Sequence, residues 1–243
     1  MRYALQWLAS LVFIIQMYAA LAVVGILYLP YALLSTEGAL VACHAYCRWV
    51  IFSLRILTGM RCEVRGTPPE HGVLVAAKHQ SFLDVLMIFH AVPRGRFIMK
   101  KALVYAPVLG WFGLRIGCVP VDRGKRGAAI TQMMKSVKEG RQKEGQLIIY
   151  SQGTRVAPGK KAPYKVGTAA LYLQMAQDCV PVATNVGVLW PKHGILRKRG
   201  LAVVEFLPTI PPGLTSAAFM ERLEREVETA SDALMHEAGF RAS

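Results

Sequence analysis

The sequence predicts an α/β fold, a largely parallel sheet covered by helices, preceded by an N-terminal membrane-embedded helical hairpin. Three observations lead there. No charged residue falls between Tyr3 and Leu34, whereas charge returns steadily after Arg48. From residue 73 onward, short apolar runs bounded by Gly, Pro or charge recur, as buried strands do. Helical patterns lie between those runs, and strands alternating with helices imply a parallel sheet with both faces covered. The division expected is 1–60 for the anchoring hairpin and 61–243 for the α/β domain.

The elements follow in chain order. Residues 3–34 are too many for a signal-peptide core, and a straight helix of that length overshoots a hydrocarbon layer of roughly 30 Å. Ala20-Leu21-Ala22 has the form of a cleavage site, but the apolar run continues past it, so an uncleaved anchor is expected. Pro30 is expected to end or bend this helix. A second apolar stretch, 39–57, carries Arg48 and Arg55 seven residues apart, near one face of a helix. That suits a helix lying in the interface with its arginines reaching phosphates. The preferred reading is a hairpin in one leaflet; the alternative is one spanning helix and a soluble linker. Either keeps the basic domain on the cytoplasmic side of the inner membrane. Strands are expected at 73–77, 118–121, 147–150, 179–183 and 201–207, with helices at 82–89, 126–143 and 168–177. A final amphipathic helix follows Pro211-Pro212-Gly213, capped by Thr215 or Ser216.

Composition narrows the partners. Of 243 residues, 53% are hydrophobic, and mean hydropathy is +0.34. Lys and Arg number 29 against 15 Asp and Glu, a formal charge of +14, which gathers anions at the surface. Beside an apolar N-terminus, an anionic membrane surface is the economical partner. No zinc spacing, aromatic-rich RNA signature or basic helix backed by heptads points to nucleic acid. Five cysteines, an odd number with no CxxC pair, speak for a reducing compartment.

Chemistry concentrates after the first expected strand of the α/β domain, in Lys78-His79-Gln80-Ser81-Phe82-Leu83-Asp84. Strand ends are where sites form in such sheets. Ser81 and Asp84 have capping-box spacing, placing His79 on the turn and Asp84 in the first helical turn. Across a turn the two side chains can meet. An Asp bonded to one ring nitrogen fixes the tautomer and leaves the other nitrogen to take a proton from a hydroxyl. Further on, Arg123 stands just past a strand, and Tyr150-Ser151-Gln152-Gly153-Thr154-Arg155 follows the same plan of strand, Gly-containing turn, Thr and Arg. Gly153 permits close backbone approach, Thr154 offers a hydroxyl, and Arg155 offers a planar fork for phosphate oxygens. Lys165 adds a cation ahead of a helix.

The order His-x4-Asp, Gly-x5-Arg, Gly-Thr-Arg and Val180-Pro181-Val182 resembles the four motifs of the lysophosphatidic acid acyltransferase family, bacterial type, over about residues 73–185. The resemblance implies that His79 deprotonates the free hydroxyl of a lysophospholipid acceptor and that Asp84 orients it. The hydroxyl then attacks the thioester of an acyl-CoA or acyl-carrier protein donor. Arg123 and Arg155 would hold the acceptor's phosphate, with Gly153 and Thr154 shaping that loop, and Val180-Pro181-Val182 would wall the acyl or donor side; Lys165, as a further cation, and Gln152 complete the expected substrate-binding residues. No metal, no cofactor beyond the acyl co-substrate and no acyl-enzyme are implied. The chain departs from the family's Phe-Pro-Glu-Gly-Thr-Arg at Tyr150, Ser151 and Gln152. An amide in place of a carboxylate at 152 admits a different acceptor, such as a lyso-aminolipid; a catalytically silent membrane lipid-binding protein is the remaining alternative.

Overall fold

The structure is a computed structural model that describes residues 2–122, 131, 135 and 145–241. Two helices, α1 (Arg2–Leu34) and α2 (Thr36–Thr58), are joined through Ser35 alone and pack on each other. Ser35 caps α2 by accepting the Glu37 N–H, and Gly38 has no room for a Cβ, which would lie 2.5 Å from the Tyr31 carbonyl. That close approach is what lets so short a turn reverse the chain. Both helices are long and apolar enough to cross a membrane, with mean hydropathy of 2.3 and 1.4. Helix α1 does not stop at Pro30. It continues to Leu34, and Ser35 N–H still finds the Tyr31 carbonyl at 2.9 Å. Proline costs the helix one donor there, and the turn beyond it re-forms.

The buried stripe of α1, Ser10, Phe13, Met17, Gly25 and Ala32, follows helical spacing, while Leu8, Ile15, Ile26, Leu27 and Leu33 are exposed around the rest. The stripe touches the α/β part along its whole length. Gln6 Nε2 donates to the carbonyls of Thr58 and Arg197, and Phe13 sits edge-on to Trp190. At the other end, the Arg115 guanidinium donates to the carbonyls of Ala32 and Leu33.

Seven strands follow: β1 (Met60–Arg65), β2 (Leu74–Ala77), β3 (Arg96–Lys100), β4 (Val119–Val121), β5 (Leu147–Tyr150), β6 (Cys179–Thr184) and β7 (Gly200–Phe206). Their order in the sheet is β1-β7-β6-β2-β5-β3-β4. Every neighbouring pair is parallel except β6 with β7. The helices are α3 (Leu83–Ala91), a 3-10 turn (Lys101–Tyr105), α4 (Leu109–Arg115), α5 (Val166–Met175), α6 (Val186–Leu189) and α7 (Ser216–Glu237). Thr215 caps α7 by accepting the Ala218 N–H. The helix expected at 126–143 lies almost entirely outside the described residues.

Strand alternation splits the core in two. Val75, Ala77, Ile148, Tyr150, Val180 and Val182 face the hairpin and α3 in one continuous cluster. Leu74, Ala76, Leu147, Ile149 and Cys179 face α5 and α7, whose Phe219, Leu223 and Val227 recur every fourth residue. The hairpin is thus built into one face of the sheet. Pro181 sits inside fully buried β6 because its side of the strand meets β7 only through the Leu207 N–H, which donates to the Pro181 carbonyl.

Candidate active site

Strands β2, β5, β3 and β4 all run the same way, so their C-terminal ends open onto one edge of the sheet. The turn after β2 carries His79. Backbone bonds fix it from three directions: Lys78 N–H to the Val182 carbonyl at 3.0 Å, Val156 N–H to the His79 carbonyl at 2.8 Å, and Ser151 N–H to the Ala77 carbonyl at 3.2 Å.

His79 Nδ1 and Asp84 Oδ1 are 2.8 Å apart. The other carboxylate oxygen, Oδ2, accepts the N–H groups of Gln80 and Ser81, each at 2.8 Å. Asp84 is fully buried with all three partners in place, whereas His79 keeps an exposed edge. The capping pattern expected from sequence is half realised. Asp84 reaches back to the Ser81 N–H, but Ser81 Oγ accepts the Leu83 N–H, and α3 begins one residue later than a full box requires. The second acceptor oxygen of Asp84 is engaged by the turn, which leaves the first aimed at the imidazole.

Beneath the imidazole lies Tyr150, stacked at 3.9 Å with 19° between planes, and Phe97 continues the stack at 6.1 Å. The Tyr150 hydroxyl is buried without a hydrogen-bond partner of standard geometry; burial first, then the Asp84 carboxylate, push its pKa well up. Sequence reasoning did not find this platform, because Tyr150 reads only as the last residue of a strand. Replacing it separates ring from hydroxyl. Tyr150→Phe is expected to keep kcat within a few-fold, since the stack survives. Tyr150→Leu is expected to lower kcat about 10²-fold, the typical consequence of a misplaced catalytic group. Equal rates for the two variants in single-turnover assays would remove the platform role.

On the other side of the same turn, Lys78 is buried and bonded to Glu228 Oε2 of α7. Glu228 Oε1 accepts the Tyr164 hydroxyl at 2.9 Å and lies 3.5 Å from Gln152 Nε2. Gln152 is itself buried, with Nε2 3.4 Å from the Ala162 carbonyl and Oε1 unpartnered. The structure therefore brings Gln152 against Glu228 rather than to the exposed rim. The available signal for Glu228 was an acid flanking the apolar stripe of an amphipathic helix, with nothing to tie it to Lys78, 150 positions earlier.

The remaining expected residues scatter around the loop after β5. Gly153 takes a positive φ of 69°, Thr154 is exposed, and half-buried Arg155 donates through Nη1 to the Lys192 carbonyl at 3.4 Å. Exposed Lys165 precedes α5, and its N–H donates to the Ser151 carbonyl, tying that helix to the loop. Arg123 lies outside the described residues. Among the described residues no group of three metal-ligating side chains is present.

Residues 61–185 match the sequence profile of the Acyltransferase family. The 1-acyl-sn-glycerol-3-phosphate acyltransferase of Pseudomonas aeruginosa is 29% identical over 167 residues, covering 68% of this chain and 65% of that protein. The Saccharomyces cerevisiae protein of the same name is 30% identical over 74% of this chain and 62% of its own length. The human alpha form is 30% identical, over 69% and 62% respectively. This chain thus spans a little under two thirds of these relatives. The crystal structure of the 1-acyl-sn-glycerophosphate (LPA) acyltransferase from Thermotoga maritima superposes with a TM-score of 0.79, covering 96% of this chain and 99% of that one at 19% identity. At that identity the likeness speaks to the fold.

Proposed function

The chain belongs to the acyltransferase family, and on that premise we propose that it transfers a fatty acyl group from a thioester donor to the free hydroxyl of lysophosphatidic acid, giving phosphatidic acid. The observation that carries the reading is the His79–Asp84 contact at the open end of the parallel strands. With Nδ1–H held by Asp84, Nε2 is the proton acceptor. It takes the proton of the acceptor hydroxyl as that oxygen attacks the thioester carbonyl. The tetrahedral intermediate collapses, the C–S bond breaks, and the imidazolium returns the proton to the departing thiolate. No acyl-enzyme is formed. Arg155 and Lys165, with Arg123 from outside the described residues, are the cations assigned to the acceptor's phosphate. Arg155 suits bidentate contact, Lys165 a point charge.

The hairpin is read as seated in one leaflet of the inner membrane, with the α/β domain on the cytoplasmic side. What supports this is that α1 touches the domain at Gln6, Phe13 and Leu33, both ends and between, over a helix about 50 Å long at 1.5 Å per residue. A helix held flat along a water-facing domain cannot also stand across the bilayer.

The test supplies purified full-length protein with labelled acyl-CoA or acyl-carrier protein, each with lysophosphatidic acid and with a lyso-aminolipid in competition. Expected is one free thiol released per phosphatidic acid formed, with lysophosphatidic acid the preferred acceptor. Thiol release without lipid product would identify a thioesterase instead. Preference for the aminolipid would move the acceptor to the alternative class.

A further inference from the structure

Between β3 and β4 runs a stretch that the sequence patterns left without an element. Residues 102–114 carry no charged side chain, and Lys100, Lys101 and Arg115 bracket them. Thirteen apolar residues are too few to span a bilayer, and such a run is ordinarily either buried in a core or laid into an interface. Here only Gly110 and Phe112 are buried. The 3-10 turn has no buried residue, and Tyr105 is 80% exposed, Leu114 43%, Leu103 40% and Trp111 38%.

The stretch is nonetheless held in place, and the hairpin holds it. Pro107-Val108-Leu109 forms a γ-turn of the rare positive-φ kind: Val108 has φ 62° and ψ −62°, and Leu109 N–H donates to the Pro107 carbonyl at 2.6 Å. A β-branched residue in that region is strained and persists only where its surroundings enforce it. The enforcing contact is with α1, where a Cβ on Gly25 would stand 2.6 Å from Val108 Cγ1. Seven residues on, Arg115 clasps the Ala32 and Leu33 carbonyls of the same helix. The stretch thus meets α1 at two points, Gly25 and Ala32–Leu33, beside the exposed apolar Leu27 and Leu33 of that helix.

We infer that residues 101–115 are a third membrane-seated element, fastened to the hairpin and lying in the interfacial layer of an anionic lipid leaflet. The inference rests on the reading of the hairpin as membrane-embedded. Tyr105 and Trp111 have the amphipathic rings that settle at headgroup depth. Exposed Lys100 and Lys101 meet the lipid phosphates, supplying the charge match that an apolar patch alone lacks. Because the stretch begins where β3 leaves the sheet, at the same edge as the His79 turn, it seats the mouth of the site against the leaflet that holds a lipid acceptor.

The test uses the full chain in vesicles of phosphatidylcholine and phosphatidylglycerol. A polarity-sensitive thiol fluorophore is placed singly at Tyr105→Cys, at Leu27→Cys on α1, and at Leu173→Cys, exposed on α5 at the opposite sheet face. Background labelling comes from the unsubstituted chain, whose cysteines are all buried or half-buried. Nitroxide-bearing lipids then report immersion. Expected is strong quenching at 105 and 27, several-fold above that at 173. Quenching at 27 with a water-exposed probe at 105 overturns the inference and leaves the hairpin reading intact. Probes at both 27 and 105 in water overturn both. Quenching at 173 equal to that at 105 also overturns it, since immersion would not belong to this face.

Discussion

Purified His79→Ala protein is expected to lose acyl transfer by about 10²–10⁴-fold, the usual weight of a general base, while remaining folded. The turn that carries the imidazole is held by backbone bonds, so truncation leaves the fold in place, at the loss of the stack on Tyr150 and of one partner of Asp84. Asp84 divides the two roles. In Asp84→Asn the single amide oxygen can still accept the Gln80 and Ser81 N–H groups, and the amide nitrogen then faces His79. That geometry turns Nδ1 into an acceptor and puts the proton on Nε2, the wrong tautomer for taking a proton from substrate. The Asn variant should therefore fold normally and still be slow. Asp84→Ala leaves two buried N–H groups unpaired and is expected to cost a further ~1–3 kcal/mol for each. Near-parental turnover by His79→Ala would end the proposed mechanism.

The second large effect is on stability. Glu228→Ala strips the partner from a buried ammonium and the acceptor from the Tyr164 hydroxyl. Breaking such a pair from one side is expected to cost about 3–5 kcal/mol, because an uncompensated charge remains inside. The double replacement Lys78→Met with Glu228→Leu should recover most of that loss, since both charges then leave together. Denaturant midpoints in a fixed detergent measure all three proteins. A Glu228→Ala midpoint equal to the parent's would show that water reaches Lys78 despite its burial.

What the sequence showed was local. The apolar runs that became β2, β5, β6 and β7 are each bounded by punctuation, and the spacing from His79 to Asp84 is a property of one turn. Edge strand β1 was missed although Met60-Arg61-Cys62-Glu63-Val64-Arg65 alternates charge with apolar residues, as a strand with one wet face does, because the expected strands were all continuous apolar runs. The β3 segment escaped for a like reason, its apolar Phe97-Ile98-Met99 being enclosed by Arg96 and Lys100. The charge partner of Lys78 and the ring under His79 come from elements that only the folded sheet brings together, at separations no periodicity can bridge. Pro30 was read by its local cost alone, yet helix α1 absorbs that cost within its final turn.

The pairing of β1 with β7 has a consequence in time. Strand β1 leaves the ribosome directly after the hairpin, but its parallel partner is the seventh of the described strands, from Gly200 onward. At roughly 5–20 residues per second, synthesis from Arg65 to Gly200 takes on the order of ten seconds. Through that interval the hairpin's inner face, Phe13, Met17, Val50 and Leu54, lacks the β7 residues Ala202, Val204 and Phe206 that complete its cluster. Long-range pairing of this kind is slow and exposes apolar surface while it waits. A nascent chain delivered early to lipid has somewhere to rest that face; one released into water would have only its neighbours.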